Sequence, residues 1–209
     1  MLQNKLLKYE IILASASPRR KQLLEELGIK FRVQTKKVDE NYPADFPVDK
    51  VAQYLSEIKA AAFQVSEMKN NTLIITADTI VALGNTILGK PSNHKQAFKI
   101  LMSLSGKKHH VITGVTLRTI EKRHSFSVST EVFFKNLSED EINFYVSNYK
   151  PFDKAGAYGI QEWIGHVAIE KIEGSYFNVM GLPTHRLYEE LNMFIDSGKG
   201  NRSTIILDI

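Results

Sequence analysis

The chain of 209 residues has no cysteine. That absence excludes disulfides, thiolate metal sites and cysteine nucleophiles, and it leaves the compartment unconstrained by redox chemistry. No apolar run approaches the roughly 18 residues a membrane-spanning helix needs, and the first ten residues lack the apolar core of a signal peptide. A cytoplasmic location without membrane contact is the expectation. Charge of one sign is nowhere concentrated: 27 Lys and Arg are interspersed with 23 Asp and Glu, for a net charge of +4. Such a balance favours a small anionic ligand over a nucleic-acid track. The glycine-rich dinucleotide turn and the Walker-type P-loop are missing. Histidine gives no metal site either. His109 and His110 are adjacent and would point to opposite faces of a strand, while His124, His166 and His185 lack partners at ligand spacing.

What is present is an ordinary hydrophobic content of 43%, enough for one sizeable core, in interleaved strand and helix patterns. Ile11 to Leu13 reads as a buried strand, Pro18 to Leu27 as a helix, and Phe31 to Gln34 as a short strand. From Val48, apolar residues at Val51, Ala52, Leu55, Ile58 and Ala62 define a helix, with Lys59 on or beside its apolar face. Leu73 to Thr76 predicts a buried strand that delivers Ala77-Asp78-Thr79 at its C-terminal end, where open α/β sheets place ligands. Gly84-Asn85 reads as a hairpin turn, Asn93 with Gln96 as a capping box, and His110–Thr119 with Ser125–Phe134 as an antiparallel pair. Ser138 with Glu141 is a second capping box, for a helix through Val146. Residues 150–161 form an aromatic, glycine-containing loop, a type that is usually functional. His166 to Ile172 and Tyr176 to Met180 read as strands, Pro183 opens a last helix through about Asn192, and 197–203 is expected to fray. Antiparallel hairpins among strand–helix units predict an α/β fold with a mixed sheet.

One stretch organises the rest. In Ser15-Ala16-Ser17-Pro18-Arg19-Arg20, Ser17 is a good N-cap and Pro18 suits the first helical position, which puts both arginines in the first turn. That is the unfavourable end for cations, by about 0.3 to 1 kcal/mol each. A strand, a small-residue turn, free amides and two guanidinium forks make an anion cradle whose ligand would offset the repulsion. Lysines, arginines and a few carboxylates at the ends of elements point to phosphate chemistry with a hard metal ion.

Taken in order, Ser15 to Arg20, Ala77-Asp78-Thr79, Gly89-Lys90-Pro91, Asp153 to Gln161, and Gly174-Ser175-Tyr176 through Gly181-Leu182-Pro183 resemble the Maf family of nucleoside triphosphate pyrophosphatases, from about Ile11 to Leu191. The resemblance implies a fold related to the inosine triphosphate pyrophosphatases, with a central mixed sheet and two lobes around a cleft. Residues 1–195 would form that domain and 196–209 a tail. It further implies metal-dependent hydrolysis of a nucleoside triphosphate to the monophosphate and pyrophosphate. Asp78 matches the family's catalytic aspartate. An ordinary carboxylate is a feeble base, so Asp78 is expected to act on a water whose acidity a metal has raised. Glu40 would be the second metal contact beside Asp78, for magnesium first and manganese as the alternative. Ser15, Arg20, Lys59, Lys90 and Lys154 would bind the phosphates. The context of Lys59, Ser56-Glu57-Ile58-Lys59-Ala60, departs from the family's arginine-containing segment.

Arg19, Thr79 and Gln161 resemble the trio of the family branch acting on dTTP and UTP. A carboxamide both donates and accepts, so Gln161 suits the carbonyl and imide edge of uracil or thymine. The competing reading is a non-catalytic nucleotide-binding regulator of cell division or septum formation. The expected partner is a nucleoside triphosphate, with no nucleic acid, and the resemblance is compatible with a homodimer. Trp163 stands open between stacking on a base and packing.

Overall fold

The computed structural model describes residues 1–197. In chain order they form α1 (Leu2–Leu6), β1 (Glu10–Leu13), α2 (Pro18–Glu26), β2 (Arg32–Val33), α3 (Val48–Ala61), β3 (Thr72–Leu83), β4 (Thr86–Leu88), α4 (His94–Leu104), β5 (Lys108–Arg118), β6 (Arg123–Phe134), α5 (Glu139–Tyr149), α6 (Trp163–Ala168), β7 (Ile169–Glu173), α7 (Tyr176–Met180) and α8 (Thr184–Asp196), with short 3-10 turns at Val65–Glu67 and Ala155–Ala157. The strands make a seven-stranded sheet in the order β2-β1-β3-β5-β6-β7, with β4 also on β3. β1 runs parallel to β2 and β3, and the remaining pairs are antiparallel. This is the expected α/β fold with a central mixed sheet.

The two faces of β3 divide by period-2 alternation. Ile80 packs with Val51, Ala52, Leu55 and Ile112 in the cluster under α3, and the Thr76 hydroxyl donates to the Ser56 carbonyl at 2.7 Å. Ala77 and Val81 enter the main core on the other face, with Leu23 and Leu24 of α2, Leu101 and Leu104 of α4, Tyr145 of α5 and Leu187 and Leu191 of α8. α3 lies almost on the backbone of β5. A Cβ at Gly114 would stand 2.3 Å from the Ala52 carbonyl, so only glycine permits this approach. Gly114 is the register partner of Asp78. The close approach therefore brings α3, and Lys59 two turns beyond Ala52, alongside that carboxylate.

Asp78 and Thr79 lie in the middle of β3, not at its C-terminal end as the sequence suggested. β3 runs on to Leu83 because β5 pairs with it along Ile74–Ala82. The strand that ends at this point is β1. It pairs with β3 as far as Leu13 and Ile75, the Ala14 N–H takes the Ile75 carbonyl at 2.8 Å, and the chain then leaves the sheet. β4 covers the same edge only from Val81. Among the described residues the stretch 76–80 thus has no strand partner on one side. A gap in the sheet exposes both of its faces, so Asp78 and Thr79, which point opposite ways, can line one cavity.

Other departures have local causes. Tyr176–Met180 is a helix because Ser175 caps it, its hydroxyl accepting from the Asn178 N–H at 3.2 Å, and Gly181 ends it at φ 116°. His166 falls in α6, where Ile164 and Ala168 are buried four residues apart, and only 169–173 is strand. Gln96 closes its box with Ser92, whose N–H it accepts at 2.8 Å, while the Asn93 side chain accepts from the Gln96 N–H at 3.0 Å. α5 runs past Val146 to Tyr149, and α8 past Asn192 to Asp196. α1, not anticipated, buries Leu2 and Leu6. The segment expected to fray lies, beyond Ser197, outside the described residues.

Candidate active site

The gap opens into a cavity of about 530 Å³ lined by Ser15, Arg19, Arg20, Glu40, Lys59, Asp78, Thr79, Lys90, Lys154 and Gln161 together with flanking residues. The catalytic, metal, phosphate and specificity candidates named from the sequence all line it, and Trp163 does not. Ser17 caps α2 as expected, its hydroxyl accepting from the Arg20 N–H at 3.4 Å.

Arg20 is locked by neutral acceptors. Its Nε donates to the Gly181 carbonyl at 2.8 Å, Nη1 to the Ala77 carbonyl at 2.8 Å and to Ser15 Oγ at 3.3 Å, and Nη2 to Thr79 Oγ1 at 3.0 Å. The Ala77 carbonyl is available because it lies in the gap. Thr79 Oγ1 is in turn 2.9 Å from Thr113 Oγ1, whose hydroxyl donates to the Asn178 carbonyl at 3.1 Å. Asn178 is buried and donates to the Val111 carbonyl and to Thr130 Oγ1, both at 3.0 Å. Arg20 therefore joins α2, β3 and α7. Burial pushes its pKa below the usual guanidinium range, against the pull of Asp78, but leaves it a permanent cation. Arg19 lies beside it, donating to the Met180 carbonyl at 3.2 Å and to Asp153 at 3.4 Å.

The opposite wall is held by charge. The Lys59 ammonium contacts the Asp78 carboxylate directly and lies 3.0 Å from Glu40 Oε1. Lys59 and Asp78 have side chains only 16% and 14% exposed, whereas Glu40 is 52% exposed on its loop. Lys59 reaches into the cleft; it does not snorkel out to solvent. Among the described residues no group of three or more His, Cys, Asp and Glu could hold a metal ion. Glu40 and Asp78 converge on the Lys59 ammonium.

The third wall is the loop 150–161. Lys154 is 7% exposed, with its ammonium 2.8 Å from Asp153 Oδ1 and 3.0 Å from Glu162 Oε1. The other Glu162 oxygen accepts from the Tyr145 hydroxyl, which itself accepts from the Gly159 N–H at 3.1 Å. Burial and this carboxylate push the Tyr145 pKa far up, so it stays a donor. Tyr158 is held by His109, Nε2 to hydroxyl 2.8 Å, and burial takes the His109 pKa down to about 4. Gln161 has a buried Oε1 with no hydrogen-bond partner among the described residues, an acceptor that a donor on a ligand would satisfy. Lys90 lies on the exposed rim, and the neighbouring Gly89 carbonyl accepts from the Gly156 N–H at 3.2 Å. Trp163 packs on Phe144 with centroids 4.9 Å apart, outside the cavity lining.

Sequence reasoning missed Glu162 and Tyr145. Glu162 carried a weak signal, an acid directly after Gln161 in a loop of buried-type residues; Tyr145 carried none, since a helical tyrosine ordinarily reads as core.

Comparison with known proteins places the chain in a family. A family profile described as Maf-like protein matches residues 10–194. A dTTP/UTP pyrophosphatase of Phocaeicola vulgatus is 54% identical over 192 residues, covering 91% of this chain and 98% of the relative. Proteins of the same name from Porphyromonas gingivalis and Bacteroides thetaiotaomicron are 49% and 52% identical, over 94% and 88% of this chain and 100% and 95% of theirs. With the profile running from β1 into α8, the chain belongs to the Maf family.

Proposed function

We propose that the protein hydrolyses the α–β phosphoanhydride of dTTP and UTP, releasing the nucleoside monophosphate and pyrophosphate. The observation that carries this reading is the cavity in the sheet gap, where the Asp78 carboxylate contacts Lys59 and shares the lining with Arg20, Lys90 and Lys154. Its volume lies in the range of small-molecule sites. Hydrolysis of a polyanion needs positive groups aimed at the charge that develops on phosphate oxygens, and a proton acceptor for the attacking water. Arg20, Lys59, Lys90 and Lys154 supply the first, with the Ser15 hydroxyl free to donate once its oxygen has accepted from Arg20. Asp78 supplies the second.

The site also fits a divalent cation. Glu40 and Asp78 present oxygen donors around a single positive charge, and magnesium favours one or two carboxylates completed by substrate oxygens. When bound, such an ion would neutralise phosphate charge and acidify a water. Asp78 would then hold the proton released, and Arg20 would stay fixed throughout.

Base choice is assigned to Gln161, whose partnerless oxygen would accept the imide N–H of uracil or thymine while its amide donates to a ring carbonyl. Arg19 and Thr79 shape the same side, Thr79 through Arg20 and Thr113. A pure binding regulator has no need of a water-activating carboxylate, and no feature of the site favours that reading. Pyrophosphate release from a panel of purine and pyrimidine triphosphates, with and without magnesium, tests the proposal. Metal-dependent release from dTTP and UTP above the purines is expected. No release from any triphosphate would overturn the activity, and a purine preference would overturn the assignment of Gln161.

A further inference from the structure

The two carboxylates that fit a metal share their cation with the protein itself. We propose that Lys59 is an internal counter-cation which a divalent ion must displace, so that the metal binds weakly to the protein alone and enters together with the triphosphate. The inference rests on the site reading above. Its basis is the contact geometry: the Lys59 ammonium touches Asp78, lies 3.0 Å from Glu40, and is almost buried. Both acids are thereby held toward one point by a group carrying half the charge that the metal would bring.

Lys59 can yield in a way that Arg20 cannot. Arg20 is tied by its planar fork to carbonyls and hydroxyls on three elements, so moving it would strand all of them. Lys59 is a point charge on a flexible stem from the last turn of α3. Phosphate oxygens arriving with the metal offer its three donors new acceptors within the same cavity. Without them, a divalent ion added to the carboxylates meets an ammonium with nowhere else to go. Even screened by bulk water, that repulsion at about 4 Å corresponds to more than a tenfold loss of affinity.

The experiment is a titration of the nucleotide-free protein with Mn²⁺, read from the paramagnetic resonance signal of the unbound ion. Lys59→Met and Lys59→Gln each remove the charge, the second keeping a donor in case the first perturbs folding. At least tenfold tighter Mn²⁺ binding than in the parent is expected for both, and adding Asp78→Asn should abolish the gain. Unchanged or weaker binding in both variants would overturn the proposal, as would a gain that survives Asp78→Asn. Pyrophosphate release by the parent tests the site reading separately, so either can fail without the other.

Discussion

Two walls of the same cavity hold their cations in opposite ways. On the α2 side, Arg20 is gripped by neutral groups, the carbonyls of Ala77 and Gly181 and the hydroxyls of Ser15 and Thr79. On the α3 side, Lys59 is gripped by the charges of Asp78 and Glu40. Neutral acceptors orient a guanidinium without cancelling its charge, so Arg20 projects a fixed positive field into the cleft. Carboxylates cancel an ammonium, and the ion pair opens only when a stronger competitor arrives. A catalyst of phosphoryl chemistry needs both: preorganised charge that does not move, and acids whose cation can be exchanged.

The comparison breaks most completely at Asp78. Asp78→Asn removes the proposed proton acceptor and one of the two acids on Lys59, and pyrophosphate release from UTP should fall by about 10³-fold or more while the protein stays folded at the assay temperature. Arg20→Lys tests whether the fork matters beyond its charge. One ammonium cannot reach the acceptors spread over Ala77, Gly181 and Thr79, so kcat/KM should drop by roughly 10²-fold, with some loss of stability from the stranded carbonyls. Gln161→Glu places an ionised acceptor where a donor–acceptor pair is assigned. UTP turnover should fall ~10- to 100-fold while the melting temperature stays within a few degrees, and equal turnover would remove Gln161 from base recognition.

Glu162→Gln probes the third wall, which mixes both styles. It leaves Asp153 as the one carboxylate on Lys154 and weakens the acceptor for Tyr145, so KM for UTP should rise by about tenfold with kcat less affected. The last effect is on stability and not on turnover, and concerns the neutral partner of Tyr158. His109 has its pKa depressed from 6.5 to about 4, so the folded protein refuses a proton that the unfolded chain accepts. Its stability is fully present above pH 6.5 and declines as pH falls toward 4. Between pH 7 and 5, urea denaturation should show the parent losing about 2 kcal/mol more than His109→Gln.

Much of this was legible in the residues. Ser17 and Pro18 mark the start of α2 because capping is chemistry within one turn, and Ser138 with Glu141 marks α5 for the same reason. The cationic cradle of Ser15 to Arg20 could be read because two arginines at a helix start need an anion to explain them. Tyr176–Met180 was misread because a five-residue apolar run fits strand or helix, and its cap and the buried Asn178 decide between them. Asp78 was placed at a strand end because no local signal says that β5 will pair with β3 for nine residues, Ile74–Ala82.

The sequence by itself determined which chemical groups were available and in what local setting: the capped helices, the basic cluster, the acid of Asp78, the amide of Gln161, the exclusion of thiol chemistry. Only the tertiary structure decided who faces whom. Lys59 meets Asp78 because Gly114 admits α3 onto the sheet, and Arg20 finds Ala77 because β1 leaves the edge of β3 after Leu13. Contacts of that kind depend on register and on where a neighbouring strand ends, and no window along the chain contains that information.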